Sequence, residues 1–294
     1  MAINLRGTGV ALVTPFKNNK VDFAGLERLI EHNISGGVEF LVTLGTTGES
    51  VTLSKKEKTE VMDFTIKTVA GRAGVVAGFG GYNTAEVIEQ MQAYHFEGVD
   101  AILSVSPAYN KPTQEGIYRH YMALAEVAPR PIILYNVPGR TGSNMSAETT
   151  IRLAKASEKF IAVKEASGNL RQCMEIIYGR PDGFIVLSGD DNLTLPLIAC
   201  GAEGVISVVG NAYPREYSDM TRAALAGDYE KAKILHYKLL HLIDLLFVDG
   251  NPGGIKANLE ILGICSSEVR LPLAPVSDKT YEELRKAAEK IAVI

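Results

Sequence analysis

The stretch FIAVKEAS, residues 160–167, places a lysine at the end of an apolar run. Four apolar residues precede Lys164, and a continuous run of this kind is typical of a strand buried on both faces. Such strands occur in parallel sheets, because helices cover both faces of those sheets. The stretch therefore predicts a buried parallel strand, and its charged residue requires an explanation.

Seven further stretches share this character, and the eight candidate strands span residues 9–16, 40–45, 75–80, 101–106, 132–138, 160–167, 184–190 and 204–210. Segments of helical period separate them; in one, Ser54 precedes Glu57 as a capping box requires. Alternating strands and helices indicate βαβ units, and eight parallel strands close a barrel. We predict an α/β fold, specifically a (β/α)8 TIM barrel with a small C-terminal appendage of three helices.

The alternation of strands and helices stops after residue 228. Three segments of helical pattern follow, at residues 229–247, 254–264 and 279–293. Loops that contain Gly and Pro separate these segments and interrupt the helical pattern. We predict a catalytic barrel over residues 1–228 and a C-terminal helical domain over residues 229–294.

The composition argues against several classes of protein. The 294 residues carry a formal net charge of −4 and the basic residues are dispersed, which does not favour a nucleic-acid or membrane partner. The chain has no apolar run of about 18 residues and no secretory signal pattern. Its cysteines, Cys173, Cys200 and Cys265, are far apart, and its histidines have no metal-binding spacing. We expect a cytoplasmic protein with reduced core cysteines and no metal site.

Lys164 has two interpretations. Burial disfavours an ammonium group and lowers the pKa of a lysine, and the resulting free amine is the nucleophile that forms a Schiff base with a ketone or aldehyde. Alternatively, Lys164 forms a structural salt bridge. Glu165 is a poor partner for it, because adjacent residues of a strand point to opposite faces. The position of Lys164 alone leaves both interpretations open.

Other predicted strand ends supply groups that imine chemistry needs. The phenol of Tyr135 can transfer protons, and the hydroxyl groups of Thr46 and Thr47 can relay protons or bind an anion. Arg140 offers a forked cation suited to a carboxylate. A core tyrosine, turn-forming threonines and a surface arginine are the competing interpretations.

Six motifs occur together in this chain. They are GTTGES (45–50), SPAYNKPTQEGIYRHY (106–121), YNVPGRTG (135–142), VKEASGN (163–169), SGDD (188–191) and NPGGIK (251–256). On these motifs, which extend over essentially the whole chain, the sequence closely resembles the dihydrodipicolinate synthase family. That family belongs to the pyruvate-dependent class I aldolases, a superfamily that includes N-acetylneuraminate lyase.

The resemblance implies a Schiff-base-forming lyase that condenses pyruvate with L-aspartate 4-semialdehyde, the first committed step of diaminopimelate and lysine biosynthesis. It implies no metal and no organic cofactor. It also implies a homotetramer, a dimer of dimers, in which a tyrosine is donated across the tight dimer interface.

The resemblance further assigns roles to individual residues. Lys164 would carry the Schiff base, and Tyr135, Thr46 and Tyr109 would form the proton relay, with Tyr109 donated by the partner protomer. The implied substrate-binding residues are Thr47 for the pyruvate carboxylate, Arg140 for the carboxylate of the semialdehyde, and Gly189 and Ile206 for the pocket wall.

Two alternatives remain beside this function. One is another pyruvate-dependent aldolase or lyase, such as an N-acetylneuraminate or 2-keto-3-deoxy-sugar-acid lyase. Such enzymes generally lack the Gly-Arg-Thr continuation of the YNVPGRTG motif, so Arg140 favours a short carboxylated aldehyde. The second is a non-catalytic sensor of pyruvate or amino acids.

The chain departs from the family at the allosteric site where lysine inhibits some members. Ser50 and Glu86 fit the family pattern, whereas Lys55, Lys58, Tyr82 and Ala108 depart from it. Two added ammonium groups would repel the side chain of a bound lysine by on the order of 1 kcal/mol. We therefore expect weak or absent feedback by L-lysine.

Overall fold

The computed structural model describes residues 3–293, with side chains through residue 291, and within this range eight parallel strands form a closed barrel. In chain order the strands are β1 (Gly7–Ala11), β2 (Phe16–Lys17), β3 (Lys20–Val21), β4 (Phe40–Thr43), β5 (Gly74–Gly78), β6 (Ala101–Val105), β7 (Ile132–Asn136), β8 (Phe160–Glu165), β9 (Ile185–Ser188) and β10 (Gly204–Ser207). Strand β1 pairs with both β4 and β10 and thereby closes the barrel, while β2 and β3 form a separate antiparallel pair. The predicted (β/α)8 barrel is confirmed.

The first predicted strand, residues 9–16, is wrong in its bounds. The barrel strand ends at Ala11, and Phe16 pairs instead with Val21 in the short hairpin. Pro15 has no N–H to donate to a ladder, and Asn18 and Asn19 adopt left-handed φ values of 54° and 59° that form a tight turn. The chain therefore leaves the barrel after β1 before it enters the first helix.

Helices cover the outside of the barrel and form the C-terminal part of the chain. In chain order they are α1 (Phe23–Ser35), α2 (Lys55–Val69), α3 (Thr84–Ala93), α4 (Gln114–Val127), α5 (Pro138–Thr141), α6 (Ala147–Ala156), α7 (Leu170–Gly179), α8 (Thr194–Ala199), α9 (Pro214–Leu225), α10 (Tyr229–Leu245), α11 (Gly253–Ile261) and α12 (Asp278–Val293). The predicted capping box is present, because the Ser54 hydroxyl accepts from the backbone N–H of Glu57 and the Glu57 carboxylate accepts from that of Ser54.

Successive side chains along the strands alternate between the barrel interior and the helical layer. On β8, Ala162 packs in the interior cluster with Leu103 and Leu187, whereas Val163 packs in the outer cluster with the helices. With the two-residue period of a strand, Lys164 faces the interior and Glu165 faces the helices. The sixth barrel strand thus carries its lysine toward the carboxyl edge of the barrel, where such folds hold their active sites.

The three C-terminal helices lie close to their predicted ranges. Helix α10 packs against α9, and α11 packs against α12. Whether residues 229–294 form a domain of their own stays a prediction. Among the described residues, no helix combines the length and apolar character needed to cross a membrane. The expected burial of the cysteines is wrong for Cys200, which is exposed, whereas Cys173 and Cys265 are buried.

Candidate active site

Lys164 lies near the carboxyl end of β8 with only 5% of its surface exposed. Its Nζ lies 4.6 Å from the ring centroid of Tyr135, and these two residues are direct neighbours in the β7–β8 register. Among the side chains of residues 3–291, no carboxylate lies within 4.0 Å of this Nζ. Lys164 therefore lacks, among those side chains, the partner that the salt-bridge interpretation requires.

Glu165, the neighbour of Lys164 in sequence, points the other way. Its carboxylate accepts hydrogen bonds from the Asn136 amide at 3.1 Å, the Gln172 amide at 3.0 Å and the backbone N–H of Ser167 at 2.8 Å. Gln172 lies on α7, so this buried carboxylate joins the ends of β7 and β8 to that helix. Amides and a backbone group, rather than a cation, satisfy Glu165.

Gly189 lies beside Lys164, and Ile206 lies in the interior of the barrel. A Cβ atom added to Gly189 would lie 3.1 Å from Cε of Lys164 and 2.6 Å from Cβ of Ala166. A side chain at position 189 would therefore force Ala166 to shift and would crowd the end of Lys164. Ile206 is fully buried on β10 and belongs to the same interior cluster as Tyr135. The structure thus brings Lys164, Tyr135 and Gly189 together and places Ile206 in the interior cluster to which Tyr135 belongs.

Thr46 and Thr47 lie on the loop that follows β4. Thr46 is exposed, whereas Thr47 is 3% exposed and its Oγ1 accepts a hydrogen bond of 3.0 Å from the Asn251 amide. The loop is held in an unfavourable conformation, since Leu44 and Glu49 have φ values of 58° and 51°. Such conformations persist only where surrounding contacts impose them, and they occur often at functional sites.

A buried ion pair supplies part of that constraint. Lys256, which has no exposed side-chain surface, donates to the carboxylate of Glu49 at the end of the threonine loop. Lys256 also donates to the backbone carbonyl of Glu268 at 2.8 Å, and the other oxygen of Glu49 accepts from the backbone N–H of Arg270 at 3.0 Å. Burial lowers the pKa of Lys256, and the charge of Glu49 opposes this effect. The C-terminal part of the chain therefore anchors the threonine loop.

Sequence reasoning assigned no role to Asn251, Lys256 or Glu49. All three lie within two of the six motifs, NPGGIK and GTTGES. The motifs therefore marked these positions but did not indicate what each residue does. A lysine flanked by the apolar residues of α11 was the sign that NPGGIK contributes a buried charge.

Arg140 and Tyr109 lie on two adjacent loops. Arg140 is exposed on the short helix α5, and its Nη2 donates to the backbone carbonyl of Asn251 at 3.3 Å. The backbone N–H of Tyr109 donates to the carbonyl of Thr141 at 3.3 Å, so the two loops are joined. Tyr109 has a left-handed φ of 70° and is 89% exposed. The single protomer therefore presents this tyrosine at its surface.

The predicted allosteric residues lie outside the barrel interior. Ser50 begins a 3-10 turn, and Lys55 and Lys58 follow on the first turn of α2, with Lys58 half-buried. Burial, together with the charge of Lys55, lowers the pKa of Lys58. Tyr82 is 66% exposed and Glu86 is exposed on α3.

Asp190 and Asp191 serve local structure at the end of β9. Asp190 accepts from the backbone N–H of Asn192 as an N-cap, and Asp191 accepts from the N–H groups of Val208 and Val209. Within residues 3–293, no group of three or more His, Cys, Asp or Glu side chains is placed to hold a metal ion.

The chain was compared with known proteins. The model of the dihydrodipicolinate synthetase family matches residues 4–291. A 4-hydroxy-tetrahydrodipicolinate synthase of Parabacteroides distasonis is 51% identical over 292 residues, which are 99% of this chain and 98% of that protein.

Solved structures give the same result. The dihydrodipicolinate synthase of Aquifex aeolicus has a TM-score of 0.95 at 42% identity and covers 98% of each chain. The chloride-inhibited enzyme of Acinetobacter baumannii, complexed with pyruvate, has a TM-score of 0.95 at 40% identity over 99% of this chain and 100% of that one. Family match, identity and fold agree over the full length, and the chain belongs to the dihydrodipicolinate synthetase family.

Proposed function

We propose that this chain condenses pyruvate with L-aspartate 4-semialdehyde, the reaction of a 4-hydroxy-tetrahydrodipicolinate synthase, through a Schiff base on Lys164. The observation that carries the proposal is a nearly buried lysine in the barrel interior, beside a phenol and without a carboxylate partner among the side chains that the structure describes. The choice of reaction is supported by relatives named 4-hydroxy-tetrahydrodipicolinate synthase, which are about half identical to this chain over nearly its full length.

The proposed chemistry begins with the neutral amine of Lys164, which attacks the ketone carbon of pyruvate to give a carbinolamine. Loss of water, with a proton delivered to the departing oxygen, leaves an iminium. Removal of a proton from the pyruvate methyl group then yields an enamine. The enamine carbon attacks the aldehyde carbon, the aldehyde oxygen takes up a proton to become a hydroxyl, and the enamine becomes an iminium again. Water then hydrolyses this iminium, which frees Lys164 and releases a product that cyclises.

Proton transfers in this sequence need a relay close to the nitrogen. The phenol ring of Tyr135 lies beside Nζ of Lys164, and the hydroxyl of Thr46 lies on the loop at the same edge of the barrel. We assign both to the relay, because a phenol needs a neighbouring group to pass a proton near neutral pH. Thr47 and Arg140 are assigned to the carboxylates of pyruvate and of the semialdehyde, for which a hydroxyl and a guanidinium are suitable donors.

The test is intact-mass spectrometry after borohydride reduction of the protein with pyruvate, followed by peptide mapping. One pyruvyl adduct on Lys164 is expected, and none in Lys164→Ala. Lys155→Ala, which removes an exposed lysine on α6, is the matched control and retains the adduct. No adduct on the unaltered chain, or an adduct on another lysine, contradicts the proposal.

The acceptor is tested separately, because a sugar-acid lyase would form the same imine. Pyruvate is offered with L-aspartate 4-semialdehyde and with polyhydroxylated aldehydes, and we expect turnover with the semialdehyde. Arg140→Ala is expected to raise the KM for the semialdehyde while the pyruvate adduct still forms. Preference for a long polyhydroxylated aldehyde would favour the lyase alternative, and a non-catalytic sensor would form no reducible imine.

We further propose that Tyr109 acts in the site of a partner protomer within a dimer of dimers. Its 89% exposure leaves the phenol available to a second protomer. Lys164→Ala and Tyr109→Phe are each prepared and then mixed under exchange conditions. Donation across the interface predicts regained activity, because one mixed site then holds both native residues. If Tyr109 acts within its own protomer, mixing restores nothing.

Weak feedback by L-lysine is proposed for the same chain. The ammonium groups of Lys55 and Lys58 lie within one turn of α2 and would repel a cationic ligand. An inhibition titration is expected to show no half-maximal effect at sub-millimolar lysine. The double variant Lys55→Ala, Lys58→Ala is expected to tighten lysine binding roughly fivefold, which corresponds to about 1 kcal/mol, with exposed Lys56→Ala as control.

A further inference from the structure

Asn251 contacts both residues assigned to the substrate carboxylates. Its amide donates to Oγ1 of Thr47 at 3.0 Å, and its backbone carbonyl accepts from Nη2 of Arg140 at 3.3 Å. Asn251 is 6% exposed and lies just before α11, 204 positions from Thr47. One residue of the C-terminal part thus connects two loops of the barrel that are far apart in sequence.

In the contact between Asn251 and Thr47, the amide is the donor and the hydroxyl oxygen is the acceptor. A hydroxyl has one hydrogen and two lone pairs, so an oxygen that accepts from Asn251 keeps its own hydrogen for another partner. Thr47 is 3% exposed, and within residues 3–293 no second partner of its Oγ1 is present. The hydroxyl hydrogen is therefore available to an anion that enters the site.

The position of Asn251 relative to Thr47 is constrained by a second contact. Lys256, five residues further along, forms the buried pair with Glu49, two residues after Thr47. The segment 251–256 therefore holds the threonine loop at two points. A group held in this way loses little conformational entropy when it binds a ligand.

We propose that Asn251 is a positioning residue that turns the hydroxyl of Thr47 into a donor toward the carboxylate of pyruvate. Through its backbone carbonyl it also holds Arg140 on the side of the aldehyde. This inference rests on the proposed function, in which Thr47 binds that carboxylate.

Asn251→Asp tests the direction of the bond. An aspartate has nearly the same shape but accepts from the hydroxyl of Thr47 instead of donating to it, and its charge repels a carboxylate. We expect the pyruvate concentration at half-maximal borohydride trapping to rise about tenfold or more. Asn251→Ala leaves the hydroxyl free to rotate and is expected to cause a smaller rise. The KM for the semialdehyde changes less, because Arg140 contacts only the backbone of residue 251.

A double-mutant cycle with Thr47→Val separates positioning from a general structural effect. Without the hydroxyl there is nothing to orient, so Asn251→Ala is expected to add little to the effect of Thr47→Val on pyruvate affinity. Asn251→Asp is left out of the cycle, because its charge repels the carboxylate in both backgrounds. A structural role would lower the melting temperature and add its full effect in both backgrounds. If Asn251→Asp does not fold, the proposal is still tested by this cycle, which uses only Asn251→Ala.

The outcomes distinguish the two proposals. If the unaltered chain forms no adduct on Lys164, the proposed function fails. If that adduct forms normally but the Asn251 variants trap pyruvate at unchanged concentrations, or Asn251→Ala is additive with Thr47→Val, the inference about Asn251 is wrong and the proposed function stands.

Discussion

Two lysines are buried among the described side chains, Lys164 and Lys256, and each lies beside an aromatic ring. Nζ of Lys164 lies 4.6 Å from the ring centroid of Tyr135, and Nζ of Lys256 lies 4.1 Å from that of Phe16. Lys256, however, is paired with the carboxylate of Glu49, whereas Lys164 has no carboxylate within 4.0 Å among the described side chains. The two regions therefore differ in charge compensation, not in burial.

This difference separates a structural role from a chemical one. A buried ammonium group that is paired with a carboxylate stays charged and joins two parts of the chain. A buried lysine without an acidic partner among the described side chains is not needed to neutralise a charge, and its amine is left accessible for covalent chemistry. Position in a barrel strand alone does not distinguish these roles, but the partners do.

The largest expected effect follows from removing the unpaired lysine. Lys164→Met is expected to reduce kcat/KM more than about 10³-fold, because no other group supplies the nucleophile. Its free energy of unfolding should be unchanged or higher, since a methionine needs no hydration. Turnover and urea denaturation measure the two quantities. A strongly destabilised Lys164→Met would mean that Lys164 is a structural cation after all.

Removal of the paired lysine should have the opposite result. Lys256→Met leaves Glu49 buried and uncompensated and is expected to lower the free energy of unfolding by about 3–5 kcal/mol. The folded fraction should still form the pyruvate adduct on Lys164. The double variant Lys256→Met, Glu49→Gln removes the stranded charge and should be more stable than Lys256→Met alone. Equal stability of the two variants, measured by urea denaturation, would disprove a compensating charge pair.

A smaller effect is expected at Glu165, the buried carboxylate behind Lys164. Glu165→Gln replaces one accepting oxygen by an NH2 group. This donor would face the side-chain amides of Asn136 and Gln172, which also donate. The mismatch is expected to cost about 1–3 kcal/mol of unfolding free energy. Trapping of pyruvate at saturation should persist, because the Glu165 carboxylate lies more than 4.0 Å from Nζ of Lys164. Loss of the adduct in a stably folded variant would show that Glu165 acts on the lysine directly.

The smallest effect concerns an ion pair near Lys256. A hydrogen bond from Arg270 lowers the pKa of Glu57 from 4.5 to about 2, so the folded state favours the ionised form. The stabilisation is present above the ordinary pKa and is lost as the pH falls from about 5 through about 2. Glu57→Gln should therefore lower the unfolding free energy by about 1 kcal/mol at neutral pH, and this difference should vanish near pH 2. A difference that is independent of pH would argue against this linkage.

The sequence predicted the features that depend on local periodicity. The count of eight strands, the capping box at Ser54 and the opposite orientations of Lys164 and Glu165 all follow from patterns within a few residues. The bounds of β1 were wrong, because Pro15 and the turn at Asn18 and Asn19 override an apolar run that continues through residue 16. The C-terminal helices were found, but nothing in their pattern indicated what they touch.

Side-chain pairs that are distant in sequence were decided only by the tertiary structure. Asn251 meets Thr47 across 204 positions, and Lys256 meets Glu49 across 207. Periodicity tells which face of an element is buried, but it carries no information about which residues of another element pack against that face. The sequence by itself therefore determined the barrel and its inward-facing lysine. The docking of the C-terminal helices on the loops of that barrel determined that Lys256 is paired with Glu49, whereas Lys164 has no carboxylate partner among the described side chains.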